Sequence, residues 1–180
     1  MLLFKHEVIR LDEKKRISDA FIELIETKCT NKITVTEVCE SIHICRKTFY
    51  YYFQDKYELI EYIFFENNIK PLKNSLELGV PIKKCIYNWY KSFFTHKIFY
   101  TQIIEDTTQN SLFNIIIKYL PKVGDSYYRC YIDDEKKLDY VSYKFAAMQA
   151  MLLRKWMREG MIESPEFMSE VYLFDDGNKT

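Results

Sequence analysis

Ile17, Ala20, Phe21, Leu24 and Ile25 stand at i, i+3, i+4, i+7 and i+8, the spacing that lines one face of an α-helix. Acidic Asp12 and Glu13 open that helix, which runs out near Cys29 with Thr30 and Asn31 as its stop. A second helix begins at Thr34, where Thr34-Val35-Thr36-Glu37 is a capping box: the threonine hydroxyl accepts from the Glu37 amide and the glutamate reaches back. Val35, Val38, Cys39 and Ile42 form its buried side, and the SIHIC stretch ends it. A third short helix carries Arg46 to Phe53, with Phe49 and Phe53 four residues apart and facing the core. A fourth opens on Asp55-Lys56-Tyr57-Glu58, another capping-box pattern, and runs through Leu59, Ile60, Ile63 and Phe64 towards Pro71.

Beyond Pro71, glycine and proline punctuate the chain at Gly79-Val80-Pro81, from Pro121 to Gly124, at Gly160 and at Pro165. Helical stretches are predicted between them at about 81–94, 97–107, 111–120, 136–159 and 165–174. No hairpin signal and no internal repeat is present, so the predicted fold is all-α. A long helix, two short helices joined by a tight turn and the start of a connecting helix make a helix-turn-helix domain over 1–60, leaving a larger helical domain over 61–180.

Composition narrows the function classes. Lys+Arg and Asp+Glu number 26 each, so bulk charge gives no argument for nucleic acid or membrane, and a DNA-binding reading must rest on local placement. The five cysteines are odd in number and scattered without a C-x-x-C pair, which points to a reducing compartment; the expected location is the cytoplasm. No run approaches the roughly 18 apolar residues of a membrane span, so no membrane partner is expected. The three histidines, His6, His43 and His96, have no ligand spacing, so no metal is predicted. No cofactor is predicted either, and with no G-x-S-x-G and only four glycines the chain is not read as an enzyme.

The stretch CRKTFYYYFQDKYEL, residues 45–59, carries the candidate chemistry. With Phe49 and Phe53 turned inward, Arg46, Lys47, Thr48, Tyr50, Tyr51 and, at the edge, Tyr52 face outward. Their cationic, hydroxyl and phenolic groups suit phosphate oxygens; Arg and Lys also reach guanine O6 and N7. Lys56 sits where the free amides of a helix start already favour a phosphate. Thr34 and Thr36, at the start of the second helix, complete the predicted DNA-contacting set. A core-facing aromatic helix is the competing reading, but three consecutive tyrosines cannot all lie on the face that Phe49 and Phe53 bury.

ITVTEVCESIHICRKTFYYYFQDKYELI resembles the DNA-binding motif of the TetR family of bacterial regulators, with Thr48, Phe49, Tyr50, Tyr51, Phe53, Lys56 and Leu59 at the matching places. Where the family has a turn glycine this chain has His43, and where it has a capping serine this chain has Cys45. TTQNSLF and RKWMREGMIESPEFMSE more loosely resemble a branch of that family that includes the activator of the dihydroxyacetone kinase operon. The resemblance implies a homodimeric regulator on a pseudo-palindromic double-stranded operator, a repressor released by a small-molecule effector in the family's usual manner. An activator, or an interaction module working through a protein partner, is the alternative. It also implies a dimer seam in the late helix, at Met148, Met151, Leu152 and Trp156. Trp89, Tyr90, Phe93, Phe94 and Tyr100 are read either as an aromatic ligand pocket or as plain core, and both readings stay open.

Overall fold

A computed structural model describes residues 2–28, 32–104 and 111–174, with residues 2–11 in backbone only. The expected stop at Thr30-Asn31 falls outside the described residues. Among those described, every regular element is helical, which makes the fold all-α. The chain divides into two compact units, Met1–Ile63 and Phe64–Thr180.

In the first unit, α1 (Leu2–Lys28), α2 (Val35–Ser41), α3 (Arg46–Tyr52) and most of α4 (Lys56–Phe64) surround one apolar core. Helix α1 starts ten residues before the acidic pair at Asp12, so Asp12 and Glu13 lie inside it rather than at its head. Ile17, Ala20, Phe21 and Ile25 are buried as the periodicity predicts; Leu24 lies at the margin and Ile22 takes a core place instead. Val38, Cys39, Phe49, Phe53, Leu59 and Ile60 close the core from the other helices. Val35 and Ile42 are only half-buried.

In the second unit a π turn (Phe65–Ile69) follows α4 directly and leads into α5 (Lys70–Glu77), so the helical path passes Pro71 instead of ending there. Proline has no N–H to give and its ring crowds the carbonyl four residues back; a widened turn just before it relieves both. Helices α6 (Ile82–Thr95), α7 (Lys97–Ile103), α8 (Leu112–Tyr128), α9 (Glu135–Arg158) and α10 (Pro165–Leu173) complete the unit. Helices α8 and α9 pack along each other, and α10 packs on α6.

The predicted break at Pro121 to Gly124 is not a break, because α8 runs through both residues. Gly124 is there for proximity: a Cβ at this position would lie 3.2 Å from Phe145 Cδ1 and 3.3 Å from Ser142 Cα, both on α9. A glycine that suggests a turn in the sequence marks a close helix crossing in the fold.

Two side-chain clusters thread the second core. Asn68 Nδ2 donates to Tyr100 Oη at 2.5 Å and to the Phe64 carbonyl at 3.2 Å, while Ser92 Oγ donates to Asn68 Oδ1 at 2.5 Å. Gln149 Oε1 accepts from Trp89 Nε1 at 3.1 Å and from Tyr90 Oη at 3.0 Å. Burial pushes the Tyr90 and Tyr100 phenols well above the ordinary range. Trp156 is enclosed as well, edge-on to Tyr90 at 5.6 Å and donating to the Glu163 carbonyl at 3.1 Å.

Candidate nucleic-acid interface

Helix α2 begins as its sequence requires. Thr34 Oγ1 accepts from the Glu37 amide at 3.2 Å, and the Thr34 amide donates to Glu37 Oε2 at 2.8 Å. Lys28 Nζ lies 2.6 Å from Glu37 Oε1, and this contact, followed by the Thr34 bonds, holds the Glu37 carboxyl down at about 2. The Thr34 hydroxyl also donates to Glu37 Oε2 at 2.9 Å, so both its roles are taken up by the cap. Thr36, near the start of the helix, is exposed.

The turn between α2 and α3 is a Schellman motif built on a histidine. The Ile44 amide donates to the Cys39 carbonyl at 2.9 Å and the His43 amide to that of Glu40 at 3.3 Å, with His43 at φ 56°. A left-handed residue with a Cβ costs roughly 1 kcal/mol that glycine would avoid. The α5 and α9 ends use the same motif with Gly79 at φ 69° and Gly160 at φ 76°. Arg16 secures the turn from α1, donating to the Ile42 carbonyl at 2.5 Å. Nothing in sequence periodicity marks Arg16 for this job, since it lies on the exposed side of α1 and its partner is a backbone oxygen.

Helix α3 then divides its aromatics. Phe49 and Phe53 are buried, with ring centroids 5.8 Å apart, while Tyr50 is 47% and Tyr51 64% exposed. Full burial of a phenylalanine is worth about 1.5–3 kcal/mol, enough to set which face of a seven-residue helix turns inward. Arg46 and Lys47 are exposed, whereas Thr48 and Tyr52 sit at the margin, Tyr52 edge-on to Tyr51 at 4.9 Å. Cys45 gives α3 no side-chain cap; its sulfur lies 3.3 Å from Thr48 Oγ1 instead, and hydrogen bonding by Thr48 draws the thiol below its ordinary value. At α4, Asp55 Oδ1 accepts from the Tyr57 and Glu58 amides at 2.8 and 2.9 Å. Glu58 reaches back to the Gln54 amide rather than to that of Asp55, a capping box displaced by one residue. Lys56, half-buried, lies over the Tyr57 ring at 5.4 Å.

Four of the described cations of this unit are occupied internally. Lys15 pairs with Asp19, Arg16 with Glu13 and Lys28 with Glu37, and Lys14 lies over the Phe53 and Tyr62 rings. Among the described residues, neither Arg46 nor Lys47 has an acidic partner. Arg46 Nη2 donates to Tyr50 Oη at 3.2 Å with the guanidinium 5.6 Å from the ring centroid, so its charge is placed but not neutralised. The i, i+4 spacing of the two residues is the sequence signal for that pair. The result is a hydroxylated aromatic surface carrying two uncompensated positive charges on one short helix.

The other candidate sites distribute differently. Trp89, Tyr90, Phe93 and Tyr100 are buried against one another and their neighbours, while Phe94 is 38% exposed and stacks on Trp156. None of the five lines the cleft of 260 Å³ that opens beside Lys73, Leu76, Glu77, Tyr127, Cys130 and Tyr131. Met148 and Met151 are exposed on α9, Leu152 is half-buried and Trp156 is buried, so no single face holds all four. The exposed stripe of α9 instead runs Tyr140, Tyr143, Met148, Met151, and on α10 Phe167 and Val171 are exposed. No helix among the described residues is long and apolar enough to cross a membrane.

Residues 17–63 match the profile of bacterial regulatory proteins, tetR family. A curated relative, the HTH-type dhaKLM operon transcriptional activator DhaS of Lactococcus lactis subsp. lactis (strain IL1403), is 38% identical over 61 residues, covering 34% of this chain and 32% of the relative. The match thus spans about a third of that protein's length. The solved structure of a dihydroxyacetone kinase operon activator DhaS aligns at a TM-score of 0.66 with 22% identity, covering 88% of this chain and 90% of that one, which is a likeness of fold.

Proposed function

We propose, on the match of residues 17–63 to the profile of the tetR family of bacterial regulatory proteins, that the chain is a sequence-specific DNA-binding transcription regulator of that family acting as a homodimer. The observation that carries this reading is the outward surface of α3, where Arg46, Lys47, Tyr50 and Tyr51 are presented while Phe49 and Phe53 lock the helix to the core. Thr36, Thr48, Tyr52 and Lys56 border that surface, and Thr34 supports it through the α2 cap. Residues 1–63 form the DNA-binding domain and the remainder the regulatory and dimerising one. In a two-fold dimer, two copies of α3 would enter successive major grooves roughly 34 Å apart on a pseudo-palindromic operator.

For the dimer face we propose Met148 and Met151 together with Tyr140, Tyr143, Phe167 and Val171, because these apolar side chains are exposed at helical spacing on α9 and α10. Trp156 belongs to the core of its own protomer. Release by a small molecule is the expectation left from the family resemblance. Activation has the more specific support, since the relative that matches over 61 residues is described as an operon activator.

Selection from a random duplex library tests the reading. The wild-type chain should enrich a palindrome, and a Lys47→Ala/Lys56→Ala variant of unchanged fold should bind the same motif more weakly. Its salt dependence should also be flatter, by about one unit of slope for each phosphate that is no longer neutralised. No enrichment by a folded dimer would remove DNA binding and leave an interaction module working through a protein partner. Met151→Glu should raise the monomer fraction in sedimentation if the proposed face is the seam.

A further inference from the structure

We infer that Arg46 reads a guanine in each half-site and that Tyr50 is the residue that positions it, holding the guanidinium in a base-reading pose before DNA arrives. This rests on the DNA-binding reading above. Arg46 opens α3 and Tyr50 stands one turn later, both on the exposed face, with a hydrogen bond of 3.2 Å and a guanidinium-to-ring distance of 5.6 Å between them.

Three features separate this pair from an ordinary surface contact. The partner is neutral, so the full positive charge of Arg46 remains available, and no carboxylate among the described residues competes for it. A guanidinium carries five N–H donors in a planar fork; one is given to the phenol, leaving a two-donor edge that matches guanine O6 and N7. An arginine chain has several rotatable bonds, and ordering them on binding opposes affinity; a side chain already held by a ring and a hydroxyl has less freedom left to lose. The phenol oxygen acts as acceptor in this bond, so its own O–H stays available to donate to a phosphate oxygen. Tyr50 can thereby tie the base-reading group to the backbone that sets its register. Lys47, the other cation on this face, is a flexible point charge with no such hold, which suits a phosphate contact rather than base readout.

The test is random-duplex selection followed by affinity measurements on the enriched operator, run with the wild-type chain, Arg46→Ala, Tyr50→Phe and the double variant. The wild type should show a G in each half-site that Arg46→Ala loses while the rest of the motif survives. Its preference for G over A there, about tenfold or more for a bidentate contact, should fall to near unity in Arg46→Ala and several-fold in Tyr50→Phe. In the double variant the Tyr50 change should add nothing to the loss of G-over-A preference caused by Arg46→Ala, and thermal midpoints should match in all four, since both side chains are exposed. Uniform weakening of every sequence by Arg46→Ala, with a reduced salt slope, would make Arg46 a phosphate contact and overturn the inference. A Tyr50→Phe profile identical to the wild type would overturn the positioning role alone. Failure of the wild type to enrich any motif would strike the DNA-binding reading itself, an outcome distinct from both.

Discussion

The two units of this chain are held together by different means. The first has an aliphatic and phenylalanine core with its polar chemistry at the ends of helices: the Thr34–Glu37 box, the His43 turn with its Arg16 clamp, and the Asp55 cap. Apart from the Arg16 clamp, that chemistry joins near neighbours in sequence. The second unit buries hydrogen-bonded side chains between distant segments, as in Asn68 with Tyr100 and Gln149 with Trp89 and Tyr90. Local caps fix where helices begin and end but leave their outer faces free for a ligand. Buried pairs fix which helix lies against which, at the risk of an orphaned donor if one partner is removed.

Substitutions can break or sharpen this contrast. The largest effect should come from Phe49→Ala, about 3–5 kcal/mol of stability in urea denaturation, against less than about 0.5 kcal/mol for its exposed neighbour Tyr51→Ala. Equal costs would mean that α3 has no privileged face. Next, Gln149→Leu should cost about 2–4 kcal/mol, because the buried Trp89 N–H and Tyr90 O–H lose their shared acceptor. A cost below about 1 kcal/mol would show that the second core does not depend on its polar pairs. His43→Gly should act the other way, raising stability by about 0.5–1 kcal/mol and the midpoint of thermal unfolding by a few degrees, since the site is left-handed and free of close packing. The smallest effect concerns pH. The Glu37 carboxyl titrates near 2 in the folded chain, below its ordinary value, so its contribution is complete above about pH 4.5 and is lost as pH falls towards 2. Acid titration of Glu37→Gln should lack that part of the decline, while a curve identical to the wild type would detach the Lys28–Glu37–Thr34 contacts from stability.

The same contrast explains what can be read in the sequence. The Thr34 cap, the inward Phe49 and Phe53 and the outward tyrosines are legible because each depends on spacing within a turn or two. His43 is legible as a misfit, a side chain where the turn demands positive φ. The Asn68 and Gln149 clusters are not, since a lone amide in a helical stretch looks alike whether it meets water or a tyrosine dozens of residues away. The seam implied by the family resemblance groups Trp156 with Met148 and Met151, although it lies eight residues beyond Met148, where a helix has made two full turns and a further part. Burial against Tyr90 and the bond to the Glu163 carbonyl decide its side. Gly124 misleads for a related reason: proximity of another helix leaves no local signature distinct from a turn. The π turn ahead of Pro71 likewise follows from a proline tolerated inside a longer helical path, where a stop is the simpler reading.

Trp89 and Trp156 are the two tryptophans of the chain, and both are buried in the second unit. The molecule therefore carries an intrinsic fluorescent label on one side only. Excited at the red edge, where tyrosine no longer absorbs, the indoles report their own surroundings and are blind to events confined to residues 1–63. A duplex seated on α3 that shifts their emission has been felt beyond the unit that holds it; one that leaves the emission unchanged has not.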